Sequence, residues 1–331
     1  GLGDGDEGYV TVDRIRHTID GTTAGRFTSS QDSITDLPGF HESIKIDCTT
    51  ADTSIAAGEG FNLEYKFEGQ DLHHLQTGHA TAKPFTIAFY AKADAAVVYS
   101  VEFKNTDHNR HCTRAFTTTT GWTRHVLAFP ADTASIYAND NGHSASLRFW
   151  LHAGSNFTSG TPANVFQGVT TANTVRDIGS IFATTDRFIN ITGIQMEVGS
   201  FTTTTIPDFQ YEGYGENLRR CQRYCQSTFT QGTDIGAATT AGTIITCATG
   251  TGANRTSTGH QWPVCMRTVP TIVVHNSTGG TTGSGRNGDT GDLKTIETGA
   301  ASDSAGHFAV SETFGNDGAQ LQFMFSLTAE L

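Results

Sequence analysis

The stretch Asn217–Phe229, "NLRRCQRYCQSTF", sets two cysteines among three arginines and holds the first residues whose spacing could do chemistry. Cys221 and Cys225 could be half of a metal site, a redox pair, or two small apolar side chains. Four residues apart on a helix, their Cβ atoms would lie about 6 Å apart. A disulfide needs roughly 3.5–4.5 Å, and zinc needs about four ligands, which no nearby second cysteine pair supplies. Two thiols on an apolar helix stripe are the simpler reading. Cys48, Cys112, Cys247 and Cys265 are scattered without framework spacing and read as thiols of a protein assembled in a cytoplasm.

Histidines and carboxylates are the next candidates. His73, His74 and His79 cluster, and His108, His111 and Cys112 fall within "HNRHC". Two imidazoles and a thiol could begin a zinc site. A strand, however, sets i and i+3 on opposite faces, so solvated loop histidines are expected. Glu64, Glu68 and Asp71 come nearest to a glycosidase pair, which would stand about 5–9.5 Å apart across a cleft. No spacing singles them out, and they read as scattered surface acids. The run Gly279–Asp292, "GGTTGSGRNGDTGD", lacks the G-K-[ST] of a phosphate-binding loop, and neither G-x-S-x-G nor H-E-x-x-H occurs. No catalytic residue and no metal ligand is assigned, and the chain is not read as an enzyme.

The elements that would position these residues are mostly strands. Apolar residues alternate in Phe85–Lys92 (Phe85, Ile87, Phe89, Ala91), in Val97–Phe103 and in Ser146–His152, where Leu147, Phe149 and Leu151 face inward. They alternate again at Ile194, Met196 and Val198, and at Leu321, Phe323, Phe325 and Leu327. Period two with Thr-, Gly- and Asn-rich turns predicts antiparallel β-sandwiches. One helix is predicted, Gly215–Gln226, with Leu218, Cys221, Tyr224 and Cys225 on one stripe. About 200 residues precede it and about 100 follow, enough chain for two β-domains.

Composition narrows the function classes. Of 331 residues, 36% are hydrophobic and only 16% charged, which is a folded chain rather than a disordered one. A net charge of −12 repels phosphate backbones, so nucleic acid is excluded as a partner. No apolar run approaches the roughly 20 residues of a membrane span, so no membrane insertion is expected. The chain starts at Gly1 with neither a signal pattern nor an initiator Met. It is therefore read as a processed or partial product lacking an upstream segment.

The segment Ile191–Gln226, "ITGIQMEVGSFTTTTIPDFQYEGYGENLRRCQRYCQ", resembles one common in bacteriophage tail-fibre and virion structural proteins, with the usual form "ITGVQLEVG", then "ATPFE", then "LxxCQRYY". Gln195, Glu197, Val198, Gly199, Leu218, Cys221, Gln222, Arg223 and Tyr224 match. Cys225 departs from the usual aromatic, and Ile206-Pro-Asp-Phe scrambles the "TPFE" order. Asp13-Arg14, Phe27–Ser33, Phe67–Ala93, Gly121–Thr133, "QWPVCMRTVPT" (Gln261–Thr271) and the terminal "FSLTAEL" are similar to the same proteins, so the resemblance covers roughly residues 9–331. It implies an all-β chain: a lead-in (1–8), a carbohydrate-module-like jelly-roll β-sandwich (9–212), a short connector helix (213–228) and a smaller C-terminal β-sandwich (229–331). Sugar-binding jelly rolls often carry a structural calcium, for which Glu64, Glu68 and Asp71 could supply oxygens; no other cofactor is implied.

The function expected is that of a virion fibre component, a tail-fibre or receptor-binding protein contacting host-surface glycan and other virion proteins. The alternative is a structural head fibre or capsid-decoration protein without a receptor; a glycan depolymerase ranks third, for want of a carboxylate pair. The protein would be assembled in the host cytoplasm and exposed on the particle. Two ligand surfaces are expected. One is the polar loop Asn276–Asp292, where Asn276, Thr281, Thr282, Asn287 and Asp289 offer donors and acceptors and Arg286 could grip an acidic sugar. It has almost no apolar residues, so it should lie in solvent. The other is Trp150, on the polar face of its strand, which could stack on a pyranose unless a loop, domain or subunit covers it. Trp122 and Trp262 read as packing residues. The resemblance implies a homotrimer with the helices near its axis, and low charge suits subunit contacts. Native mass measurement should give three chains; a stable monomer would overturn this expectation.

Overall fold

The structure, a computed structural model, describes residues 1–9, 14–175, 178–247, 256–279, 283–310 and 319–331. The chain forms two compact units, Gly1–Tyr211 and Glu212–Glu330. No described helix is long and apolar enough to cross a membrane.

The first unit holds β1 (Arg16–Asp20), β2 (Arg26–Ser33), β3 (Glu42–Thr50), β4 (Gly60–Glu68), β5 (Phe85–Ala93), β6 (Val98–Asn105), β7 (Arg110–Thr117), β8 (Thr123–Phe129), β9 (His143–Ala153), β10 (Gln167–Gly168) and β11 (Phe188–Val198). One sheet runs β1-β4-β9-β6-β7-β10 and the other β2-β3-β11-β5-β8. The pairing is nested: β6 with β7, β5 with β8, β4 with β9, and β3 with β11, all antiparallel. A long hairpin rolled over itself in this way is a jelly roll. The core between the sheets is aromatic. Phe103 on one sheet meets Phe85 and Phe129 of the other at ring-centroid distances of 4.7 and 6.3 Å, and Phe166 at 6.3 Å.

The predicted alternation holds in β5, where Phe85, Ile87, Phe89 and Ala91 are buried. In β11 it holds in part. A bulge between Thr192 and Gln195 shifts the register against β5, so that Met196 stands opposite Ile87 and packs against the core; Ile194, within the bulge, and Val198, at the strand's end, are exposed. An extra residue in a strand exchanges its two faces. Gly193 makes the bulge, with φ +59, and an added Cβ there would come 2.7 Å from Phe40 Cε1.

Among its described residues the second unit holds a helix, Tyr214–Gln222, and nine strands: β12 (Cys225–Ser227), β13 (Ile244–Cys247), β14 (Thr256–Gln261), β15 (Thr271–His275), β16 (Ser284–Asn287), β17 (Leu293–Thr295), β18 (Glu297–Gly299), β19 (Ala305–Val310) and β20 (Gln320–Thr328). β20 pairs antiparallel with β12, β13, β15 and β16. A three-stranded sheet, β14-β19-β18, forms the second layer. Phe308 of β19 packs on Phe323 and Phe325 of β20 at 5.1 and 5.0 Å. Leu321, Phe323, Phe325 and Leu327 are all buried, as their alternation predicts. Trp262 is buried against Phe325 and acts as a packing residue.

The helix is shorter than predicted. It ends at Gln222, and Cys225 opens a strand opposite Thr328. The Tyr224 carbonyl accepts from Ala329 N at 2.8 Å, so sheet pairing replaces a further helical turn. Cys221 and Cys225 therefore lie on different elements, and no helix residue is fully buried. Phe103→Ala should destabilise the first unit by about 3–5 kcal/mol, the usual cost of deleting a core aromatic ring. Denaturant unfolding followed by tryptophan fluorescence measures it; a loss under about 1 kcal/mol would contradict this packing.

Candidate functional site

On the outward face of β1, β4, β9, β6 and β7, antiparallel register places Arg16, Glu64, Arg148, Glu102 and Thr113 in one row. Arg148 stands between the two carboxylates. Its Nη2 donates to Glu64 Oε1 at 2.7 Å, and its Nη1 lies 3.7 Å from Glu102 Oε2. Ser146 Oγ donates to Glu64 at 2.7 Å; Trp150 Nε1 donates to Glu102 at 3.0 Å; His111 Nδ1 lies 2.8 Å from Glu102. Burial alone would raise both carboxyl pKa values. Arg148 and Ser146 at Glu64, and His111 and Arg148 at Glu102, more than offset it and hold both below the ordinary carboxylate value.

This row corrects three expectations. Glu64 and Glu68 are buried rather than surface acids. Their oxygens accept from Arg148, Ser146 and Gln70, so they do not fit a calcium cage. His111 is no loop histidine: it is buried in β7, while Cys112 beside it faces the core and His108 stays exposed. Trp150 is only 2% exposed. Phe157 packs on its ring at 5.1 Å, and Thr113 Oγ1 donates to the Thr174 carbonyl. A crossing segment thus covers this end of the sheet, and Trp150 offers no face to a sugar. The available signal was position: Glu64 and Glu102 sit mid-strand between apolar residues, whereas surface acids gather at turns.

The polar stretch Asn276–Asp292 is also not one loop. Residues 284–287 form β16, paired with β17 and β20. Lack of apolar side chains did not keep it in solvent, because Gly285 makes room for others'. An added Cβ there would lie 2.8 Å from both Ile296 and Leu321. Asn276 and Asn287 are each 1% exposed. Asn276 Oδ1 accepts from Thr278 N, and Asn287 Oδ1 accepts from Asp289 N and Thr290 N, so both hold turns. Arg286 is half-buried in β16, and Asp289 is exposed on the following turn. Thr281 and Thr282 lie outside the described residues. Arg286, Asn287 and Asp289 thus lie on β16 and the turn that follows it.

The residues best placed to meet a ligand lie on the outward face of the β2-β3-β11-β5-β8 sheet. Gln195, just past the Gly193 bulge, accepts from Arg124 Nη2 at 2.8 Å and donates to Glu197 at 2.9 Å. Arg124 also donates to the Pro207 carbonyl at 2.8 Å, and Thr86 Oγ1 donates to the Gly199 carbonyl and accepts from Phe201 N. These bonds clasp residues 199–209 to the sheet. Phe209 is thereby set 5.2 Å from Phe40, which lies 5.1 Å from Tyr90, and Tyr211 caps Phe209 and Phe40 at 5.1 and 5.7 Å. Tyr211 is 64% exposed. On the neighbouring edge, half-buried Trp122 donates Nε1 to Asp36 at 2.8 Å, and Lys92 Nζ lies 2.6 Å from the same carboxylate. The Lys92 and Trp122 hydrogen bonds hold the Asp36 carboxyl below its usual pKa. Sequence reading took Trp122 for packing alone and did not single out Tyr211.

No protein-family profile and no curated protein matches the chain. Among solved structures, it is similar to the family 11 carbohydrate-binding module of a cellulosomal cellulase of Clostridium thermocellum (12% identity, 58% of this chain and 91% of that one, TM-score 0.31). It is also similar to the N-terminal cellulose-binding domain of a β-1,4-glucanase of Cellulomonas fimi (13% identity, 52% and 84%, TM-score 0.28) and to a family 4 carbohydrate-binding module (13%, 55% and 86%, 0.29). Likeness at this level carries neither a family nor a ligand; the jelly roll stands on the strand pairing of this chain.

The buried row and its neighbours set an acid limit. Burial lowers the pKa of His17 and of His143 to about 4. The unfolded chain binds protons at these imidazoles from about pH 6.5 downward, the folded chain only near 4, so stability falls as pH drops across that window. Glu64 and Glu102, with lowered pKa values, lose their contribution below about pH 4.3 in the same direction. The unfolding temperature should therefore fall continuously from pH 7 to pH 3.5. His17→Leu should flatten the upper part of the curve and Glu102→Gln the lower; a pH-independent melting temperature would contradict both assignments.

Proposed function

We propose that this protein is a homotrimeric bacteriophage fibre component, a tail-fibre or receptor-binding protein, whose first unit binds host-surface glycan without cleaving it. One observation carries the reading. Three separate stretches that resemble phage fibre proteins meet on one outward face: Tyr90 and Lys92 from Phe67–Ala93, Trp122 and Arg124 from Gly121–Thr133, and Gln195, Glu197 and Phe209 from Ile191–Gln226. Residues that look like a sequence signature act together as one clasp presenting aromatic rings. Such rings, flanked by Asp36, Lys92 and Arg124, suit a sugar chain, whose C–H faces stack and whose hydroxyls bond to charged groups. Against cleavage, Glu64 and Glu102 are held ionised and buried, whereas a glycosidase acid needs a raised pKa and an open cleft.

Purified protein should bind a subset of an array of bacterial capsule and lipopolysaccharide glycans and release no oligosaccharide from them. Tyr211→Ala and Trp122→Ala should each weaken that binding about fivefold or more, since a lost stacking partner is worth about 1 kcal/mol. Both are solvent-reaching and should leave folding intact. Binding to no glycan, or equal binding by both variants, would defeat the reading; so would depolymerisation abolished by one Asp or Glu substitution.

A further inference from the structure

The first unit also contains a cleft of about 310 Å³, lined by His73, Gln76, Thr77, His79, Thr81, Ile136 and Tyr137. It shares no residue with the aromatic face. Its walls are anchored from below: Leu72 and Leu75 of the turn Gly69–Leu75, and Tyr137 opposite, all belong to the jelly-roll core. The backbone between them is fixed rather than loose. Gln76 takes a left-handed conformation with its N–H on the His73 carbonyl. Gly78, at φ +78, donates to the Asp132 carbonyl at 2.9 Å, and a Cβ there would lie 3.1 Å from Ile136. Lys83 N donates to the Leu75 carbonyl at 2.9 Å, closing the loop.

Two imidazoles, one amide and two hydroxyls therefore line a pre-formed depression, with an aliphatic side chain and a phenol ring beside them. Among the described residues, none of the side chains of His73, Gln76, Thr77, His79 and Thr81 makes a hydrogen bond within the protein, so their donors and acceptors remain for a ligand. No Asp, Glu, Lys or Arg lines the cleft, which disfavours a charged ligand. Two imidazoles fall short of the four ligands of a stable zinc site, and no group of three or more metal-binding residues occurs among the described residues. The volume is at the small end for ligand pockets, roughly 300–1,000 Å³.

We propose that this cleft binds a single neutral pyranose residue, its hydroxyls meeting His73, Gln76, His79, Thr77 and Thr81 and its C–H face resting on exposed Ile136, with the buried Tyr137 forming the floor. The inference deepens the glycan-binding reading by adding a subsite for one uncharged sugar, distinct from the aromatic face. Saturation-transfer difference NMR tests it on the whole chain, with methyl glycosides of glucose, galactose and N-acetylglucosamine as probes and glucuronate as the charged control. At least one neutral glycoside should show transfer with a millimolar Kd, and glucuronate none. The double variant His79→Ala/Thr81→Ala should weaken that binding about fivefold or more, as loss of one to two net hydrogen bonds implies. Because both side chains are exposed and bond to nothing in the fold, its melting temperature should be unchanged. No transfer from any neutral glycoside, transfer equal in the variant, or preference for glucuronate each overturns the proposal. Array binding that survives these failures but is lost in Tyr211→Ala would leave the broader glycan reading standing, so the two are separable.

Discussion

Arg148 is the one residue on which the outer layer of the jelly roll depends. Glu64 and Glu102 occupy the strands on either side of it, in the middle of a sheet, with almost no access to water. A buried carboxylate survives ionised only when a cation and donors replace its hydration. One guanidinium meets that need for both. Its planar fork reaches Glu64 through two nitrogens while a third approaches Glu102. Trp150, Ser146 and His111 then complete the acceptor sites, and this fixes their rotamers too. A lysine there would supply a point charge for one carboxylate and leave the other short of partners. The register of β4, β9 and β6 is thus fixed by polar chemistry on one face as much as by aromatic packing on the other.

The second sheet solves a different problem with a glycine. The bulge at Gly193 costs β11 its regular alternation, yet it turns Gln195 outward beneath Arg124 and opens space for Phe40. That space admits the ring stack of Phe40, Phe209 and Tyr211 onto a sheet surface otherwise too crowded for it. The "ITGIQMEVG" motif is in this sense a geometric instruction. Its glycine bends the strand, its glutamine and glutamate hold the returning chain, and its last glycine, Gly199 at φ +123, accepts from Thr86 as the chain leaves the sheet.

Much of the architecture was legible because apolar alternation speaks directly about burial. β5, β9 and β20 could be placed from Phe, Ile and Leu at period two, and the nested jelly roll follows the resemblance. What stayed hidden depended on partners distant in sequence. Nothing near Trp150 announces that Phe157 and a crossing segment will cover it, nor that Glu102 will accept a hydrogen bond from its indole N–H. Gly285 misled in the opposite sense. A stretch without apolar side chains reads as solvated, but the absence of a side chain let Ile296 and Leu321 pack against its backbone. In β11 only Met196 of the expected row packs on the core: Ile194 falls inside the bulge and Val198 at the strand's end. The aromatic face escaped notice because its members come from residues 40, 90, 122, 209 and 211, and only the fold collects them. The cleft was half-visible: its histidines drew attention, but the opposing wall of Ile136 and Tyr137 lies some sixty residues away in the chain.

β20 leaves a mark on how the protein is made. In chain order it comes last among the described strands of its unit, yet β12, β13, β15 and β16 all pair with it. During synthesis those four strands emerge with no common partner, their edges and the inner faces of Ile244, Val274 and Ile272 uncovered. Unpaired edges of this kind invite association with other chains. The ribosome must therefore release Gln320–Thr328 before the unit can close, and any chain halted earlier is left with a sheet that has no centre.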